Sequence, residues 1–256
     1  MRPYVAGDDF RTVDWHVFQR LDKVFVRLFL QDEDLPVHFL LDQSASMARG
    51  PGGAAAASVP ERSIVARRAL AALAYVSLHQ MDRVSVYPFA SEPLRAMPPM
   101  SGKNAFQRLL AWLASLPATG TTGLADAVRG FAARKLRRGL CVLVTDGFDP
   151  KGAAAVADAI RLLPHRTLLL RPVHRGEDRP VHLLGEVRAV DCEEGGSLEL
   201  SVDDALLDRH QAAYRAFTEQ LADAARSRGG GYLELFTDTP VVPQLAALFQ
   251  HGVMQA

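Results

Sequence analysis

One stretch of the chain sets hard oxygen donors at alternate positions: Asp42-Gln43-Ser44-Ala45-Ser46, directly after the apolar run Val37 to Leu41. On a loop at the end of a strand, that spacing sends one carboxylate and two hydroxyls toward a single spot, a donor set suited to Mg²⁺. Taken alone, Asp or Ser after a strand is equally well explained as a helix cap. Two further loops carry donors of the same kind. Thr121-Thr122-Gly123-Leu124 precedes a helical stretch, where either threonine can serve as the N-cap, and Val144-Thr145-Asp146-Gly147 closes the apolar run Leu140 to Val144. In a parallel sheet Asp146 is carried to the same edge as Asp42, and Gly147 permits close backbone approach there. Asp42 and Asp146 are then the only acids of the set, which leaves positions on a six-coordinate ion for water or an outside ligand.

The elements that must position these residues follow from short apolar runs alternating with longer helical stretches, the pattern of a mostly parallel sheet with helices on both faces. Expected strands are Val24 to Leu30, Val37 to Leu41, Val84 to Phe89, Leu140 to Val144, Thr167 to Arg171 and Tyr232 to Phe236. Expected helices are Ser63 to Gln80, Lys103 to Leu116, Leu124 to Lys135 and Gly152 to Leu163, the last stopped by Pro164. A long amphipathic helix, Asp203 to Arg226, and a helix after Pro240 complete the pattern. The fold class is α/β, a doubly wound sheet. A hairpin-like insertion near 181–202 breaks the alternation, with a polar turn from Asp191 to Gly196. Gly50 to Ser58, with Gly-Pro-Gly-Gly before four alanines, reads as a mobile low-complexity loop. We expect a single globular unit, with an Arg/Asp-rich motif and first strand over 1–36 packed on a domain spanning 37–256.

Composition narrows the function class. The 256 residues carry 29 basic and 29 acidic side chains, so no net field draws the protein to nucleic acid or anionic lipid. No apolar run approaches the roughly 18 residues of a membrane span, and no signal segment opens the chain, so the expected location is cytoplasmic. Cys141 and Cys192 lack the spacing of a zinc site and are expected to stay reduced. His165, His174 and His182 form only a loose group without HxxH or HExxH spacing. Serine hydrolase chemistry lacks its Gly-x-Ser-x-Gly elbow, and Gly50 to Gly53 lacks the Gly-Lys-Ser/Thr ending of a phosphate loop. The remaining enzymatic alternative is a Mg²⁺-dependent phosphotransferase or phosphohydrolase using Asp42 and Asp146. Against it, Ser44 stands where an Asp-x-Asp pair would put its acid/base group.

In this order, Asp-x-Ser-x-Ser, Thr and Asp-Gly, the loops resemble the von Willebrand factor A superfamily and its metal-ion-dependent adhesion site, over roughly Val37 to Leu170. In that family the threonine lies six residues before the residue closing an Ala-Leu-like pair, here Ala127-Val128, which selects Thr122. The resemblance implies that Ser44, Ser46 and Thr122 contact Mg²⁺ directly or through water, with Mn²⁺ or Ca²⁺ as substitutes. Asp42 and Asp146 would neutralise the ion, and one position would stay open for a partner's carboxylate.

A narrower resemblance runs through Arg2-Pro3-Tyr4, Gly7-Asp8-Asp9, Arg11, Asp14-Trp15, Asp82-Arg83-Val84 and the Asp191 to Gly195 turn. These are similar to an uncharacterised bacterial family encoded beside MoxR-type AAA+ ATPases. That resemblance implies a non-catalytic partner or adaptor of such an ATPase. Many of its members carry transmembrane helices and a preceding β-domain, neither of which this sequence shows, so no membrane insertion is expected. Asp8, Asp9, Arg11 and Asp14 have two readings: carboxylate–guanidinium pairs that tie down the Gly7-Asp8 turn, or a partner-binding surface.

Overall fold

The computed structural model describes residues 2–3, 24–26, 34–48, 60–90, 95–191, 193 and 196–250. The chain divides into two units, Met1–Asp34 and Leu35–Ala256. In the first, Arg2–Pro3 (β1) pairs antiparallel with Phe25–Val26 (β2). Of the expected strand Val24 to Leu30, Phe25–Val26 is seen as strand, outside the main sheet, and residues 27–33 lie outside the described residues. Asp8, Asp9, Arg11, Asp14, Cys192 and the Gly50 to Ser58 loop also lie outside them.

Uninterrupted runs of Val, Leu and Phe make strands buried on both faces, as the centre of a parallel sheet requires. Pro36–Asp42 (β3) and Leu140–Val144 (β6) are buried at every position. With Arg83–Phe89 (β4), Met97–Met100 (β5), Arg166–Val173 (β7) and Gly231–Phe236 (β10) they form a six-stranded sheet in the order β10-β7-β6-β3-β4-β5. All pairings are parallel except β4 with β5. The fold is therefore the expected α/β one, a mostly parallel sheet flanked by helices.

Side chains alternate across the sheet and sort the helices into two layers. Val37, Phe39 and Leu41 face a core built with Arg62–His79 (α1), Phe106–Ser115 (α2) and Val241–Gln250 (α6). Leu40, Cys141, Leu143 and Leu169 face the other core, made with Leu124–Ala132 (α3), Gly152–Arg161 (α4) and Asp204–Arg226 (α5). The last of these is capped at its start by the Asp203 carboxylate, which accepts from the Leu206 amide at 2.7 Å.

The expected insertion is also present. A 3₁₀ turn at Val181–Leu183 leads into Gly185–Val190 (β8), which pairs antiparallel with Ser197–Val202 (β9) as a separate two-stranded sheet. Among the described residues, no helix is long and apolar enough to cross a membrane.

Candidate metal centre

From β3 the chain leaves toward β4 on one side, whereas β6 leads to β7 on the other, so the strand order reverses between β3 and β6. A doubly wound sheet opens a crevice outside the carboxyl ends of the strands at such a point. Leu41 pairs with Val144 in register, which sets Asp42 beside Thr145 and Asp146 at that opening. The 119–122 loop is tied to the same place by backbone bonds, Thr119 N to Gln43 O at 2.8 Å and Ala45 N to Gly120 O at 2.9 Å.

Hydrogen bonds fix the donor set. Asp42 Oδ1 accepts from the Ser44 amide at 2.9 Å and the Ser44 hydroxyl at 2.7 Å. Its Oδ2 accepts from the Thr145 hydroxyl at 2.6 Å, and Thr145 Oγ1 in turn accepts from Gly147 N at 3.0 Å. The Ser44 and Ser46 oxygens are 2.9 Å apart. Because the single proton of Ser44 goes to Asp42, Ser46 is the donor of that pair, and the relay ends on the Asp42 carboxylate. Asp146 Oδ1 accepts from Phe148 N at 3.2 Å, whereas its Oδ2 is buried and has no hydrogen-bond partner. Gly147 takes φ +84°, and a Cβ there would come within 2.7 Å of Leu221 Cδ1, so both backbone conformation and space demand glycine.

Two carboxyl groups buried side by side are electrostatically costly. Burial first, and then the neighbouring Asp146 charge, push Asp42 up to about 7. Burial also raises Asp146, while the Arg62 charge, the Phe148 amide and the Arg171 charge oppose it. Among the described residues no three His, Cys, Asp or Glu side chains converge on one point. An ion here would therefore be held by hydroxyls as much as by carboxylates, which suits a hard cation. The Ser44 and Ser46 hydroxyls and the unpartnered Asp146 Oδ2 would meet such an ion, with Thr122 on the cavity it shares with Ser46, and Asp42 would compensate charge through Ser44.

Several residues around the centre were not singled out from sequence. Thr145 links the two aspartate loops. Arg171, on β7, is fully buried; its Nε donates to the Asp146 carbonyl at 2.7 Å and its Nη1 contacts Glu234 Oε1 at 3.3 Å. Its guanidinium lies over the rings of Tyr214 and Phe217 from α5 and of Phe148, 4.7 to 5.5 Å from their centroids. Arg62 donates to Glu177 at 2.7 Å and approaches the Ser46 carbonyl at 3.4 Å. These cations sit behind the acids and hold the loops without ligating anything.

Thr122, 8% exposed, lines a cavity of about 510 Å³ together with Ser46, Phe148, Asp191 and Glu193. A further carboxylate reaches one member of this set. Glu193, in the turn between β8 and β9, accepts from the Thr122 amide at 2.8 Å through Oε2 and from the Thr122 hydroxyl at 2.6 Å through Oε1. Nothing in the local sequence signals a pairing across 71 positions.

Comparison with known proteins places the chain among uncharacterised relatives. It is 28% identical over 242 residues to the uncharacterised protein Rv1480 of Mycobacterium tuberculosis, covering 93% of this chain and 73% of that protein. An uncharacterised Mycobacterium avium protein is 31% identical over 147 residues, 56% of this chain and 85% of its own length. Among solved structures the fold is similar to that of the conserved hypothetical protein BatB from Bacteroides thetaiotaomicron, with a TM-score of 0.52 at 16% identity, covering 85% of this chain and 97% of that one. Residues 1–220 match the family described as "Protein of unknown function DUF58", and the chain belongs to that family.

Proposed function

We propose that this domain is a non-catalytic, Mg²⁺-dependent protein-binding module whose ion is held by Ser44, Ser46, Thr122 and Asp146, with Asp42 behind them. One observation carries the reading: two buried carboxylates close neighbouring parallel strands, and one of them keeps an unpartnered oxygen beside a relay of serine hydroxyls. Mg²⁺ strongly prefers six oxygens, so after the protein's donors are counted a position is left for the carboxylate of a partner. The likeness of these loops to a metal-ion-dependent adhesion site supports the same role.

Both Asp42 oxygens accept hydrogen bonds within the fold, and the residue is fully buried. With both oxygens engaged and no exposure, neither is free for attack, so the phosphoryl-transfer alternative has less support. The choice of a MoxR-type AAA+ ATPase as partner, with this chain as its adaptor, rests on the sequence resemblance.

Copurification from the native host tests the reading. An AAA+ ATPase is expected to be retained in Mg²⁺, and to be lost in EDTA or with Asp42→Ala that melts normally. Equal retention in EDTA would move recognition to another surface, with Asp8, Asp9, Arg11 and Asp14 the first to examine.

A further inference from the structure

We propose that Glu193 is the domain's own ligand at this centre: its carboxylate, on the tip of the β8–β9 hairpin, takes the place that a partner's acidic side chain needs, so a partner binds by displacing it. The inference rests on the metal-site reading above and adds the regulation of that site.

Three observations carry it. Both oxygens of Glu193 are engaged by Thr122, through amide and hydroxyl at once. Bidentate acceptance of this kind holds a carboxylate firmly and in one orientation. Glu193 and Asp191 line the same cavity as Ser46 and Thr122, so the carboxylate shares that space with two of the proposed donors. The hairpin that carries it has little else to hold it. Neither β8 nor β9 packs extensively on another element, most of their residues are exposed, Leu198 at 60%, and a lone two-stranded hairpin is marginal in water.

Charge balance gives the arrangement its sense. Asp42 and Asp146 already place two acids at the crevice, and a third carboxylate moving up to Thr122 adds repulsion. A divalent cation reverses that sign and makes the same approach favourable. An ion would strengthen the hold on Glu193, already seated on Thr122, and an incoming carboxylate competes for a place filled by a tethered one, present at high effective concentration. A purely structural alternative exists, since Glu193 could serve only as an outside cap for the start of α3. That alternative would be indifferent to metal.

The probe is Mn²⁺ alone, added to the full chain and followed by calorimetry and water-proton relaxation in the wild type, Glu193→Ala, Glu193→Gln and Asp42→Ala. Removing the Glu193 carboxylate should weaken Mn²⁺ by about tenfold, the scale of one charge-assisted contact, and add one exchangeable water to the bound ion. Acetate should then displace that water in Glu193→Ala but not in the wild type. Glu193→Gln, which keeps an oxygen for Thr122, guards against a folding defect and should show the same weakening. Equal hydration and equal acetate response in wild type and variants would overturn the role of Glu193 and leave the metal site standing. A melting-temperature loss of the same size with and without Mn²⁺, with no change in hydration, would identify a cap and overturn it too. Failure of the wild type to bind Mn²⁺, or binding untouched by Asp42→Ala, would overturn the metal reading and this inference with it.

Discussion

Thr145 donates its hydroxyl proton to Asp42 Oδ2 at 2.6 Å, joining the ends of two neighbouring parallel strands across 103 residues of sequence. Thr145 Oγ1 also accepts from the Gly147 amide, so one hydroxyl sets both the orientation of Asp42 and the turn that follows Asp146. The Asp42 carboxylate is held in place by the fold itself.

Replacing that hydroxyl by a methyl of the same shape therefore has a defined consequence. Thr145→Val leaves a buried carboxylate oxygen and a buried amide without partners, a cost of about 1–3 kcal/mol for an unsatisfied group. We expect a lower melting temperature and a weaker stabilisation by Mg²⁺. A melting curve matching that of the wild type, with and without the ion, would show that Thr145 holds nothing.

Arg171 makes the second prediction. It is wholly buried, donates to the Asp146 carbonyl and contacts Glu234 at 3.3 Å. Removing one partner from such a buried network costs about 3–5 kcal/mol, and the lower end applies because Glu234 is partly in water. Arg171→Met should lose that much in urea unfolding. Arg171→Lys should not restore it, since the planar guanidinium both stacks on the aromatic rings and reaches the carbonyl. Full recovery by lysine would show that only the charge matters.

A histidine pair elsewhere in the domain contributes to the pH dependence with a sign opposite to that of the raised Asp42. His38 and His165 lie edge to face with ring centroids 4.8 Å apart, and both are buried. Burial lowers His38, and the backbone bond to Arg137 opposes this. Burial lowers His165 to about 4, with His38, Arg138 and Arg228 adding to the effect. The folded value thus lies below the ordinary 6.5, so unfolding takes up protons between those two values. The contribution is complete above about pH 6.5 and is lost as pH falls toward about 4. Between about pH 7 and about pH 4.5 the melting temperature of the wild type should fall relative to that of His165→Phe, which lacks this contribution. Parallel slopes in wild type and variant would assign the acid sensitivity elsewhere.

Much of this fold is legible locally because central parallel strands announce themselves as apolar runs. The expected strand Leu140 to Val144 coincides with β6, and Val37 to Leu41 differs from β3 by one residue at each end. By contrast, Met97–Met100 contains Pro98 and Pro99, which read as breakers, yet proline is tolerated on an edge strand such as β5. Around the candidate site, Asp42, Ser44, Ser46 and Asp146 follow from loop spacing after strands. Thr145, Arg171 and Glu193 do not, because each acts through a contact made only when distant segments meet. Glu193 shows this most plainly: its turn reads as a polar connection and as part of the family resemblance, and neither points to Thr122.

The central claim is that these loops hold a divalent cation, and an anomalous difference map from crystals grown with Mn²⁺ tests it most directly. The account predicts one strong peak bounded by Ser44, Ser46, Thr122 and Asp146, replaced in Mg²⁺ crystals by an ion with oxygen contacts of about 2.0–2.1 Å, and no peak there in Asp42→Ala crystals of unchanged fold. A wild-type map without that peak at saturating Mn²⁺, or with its peak at another place, would contradict it.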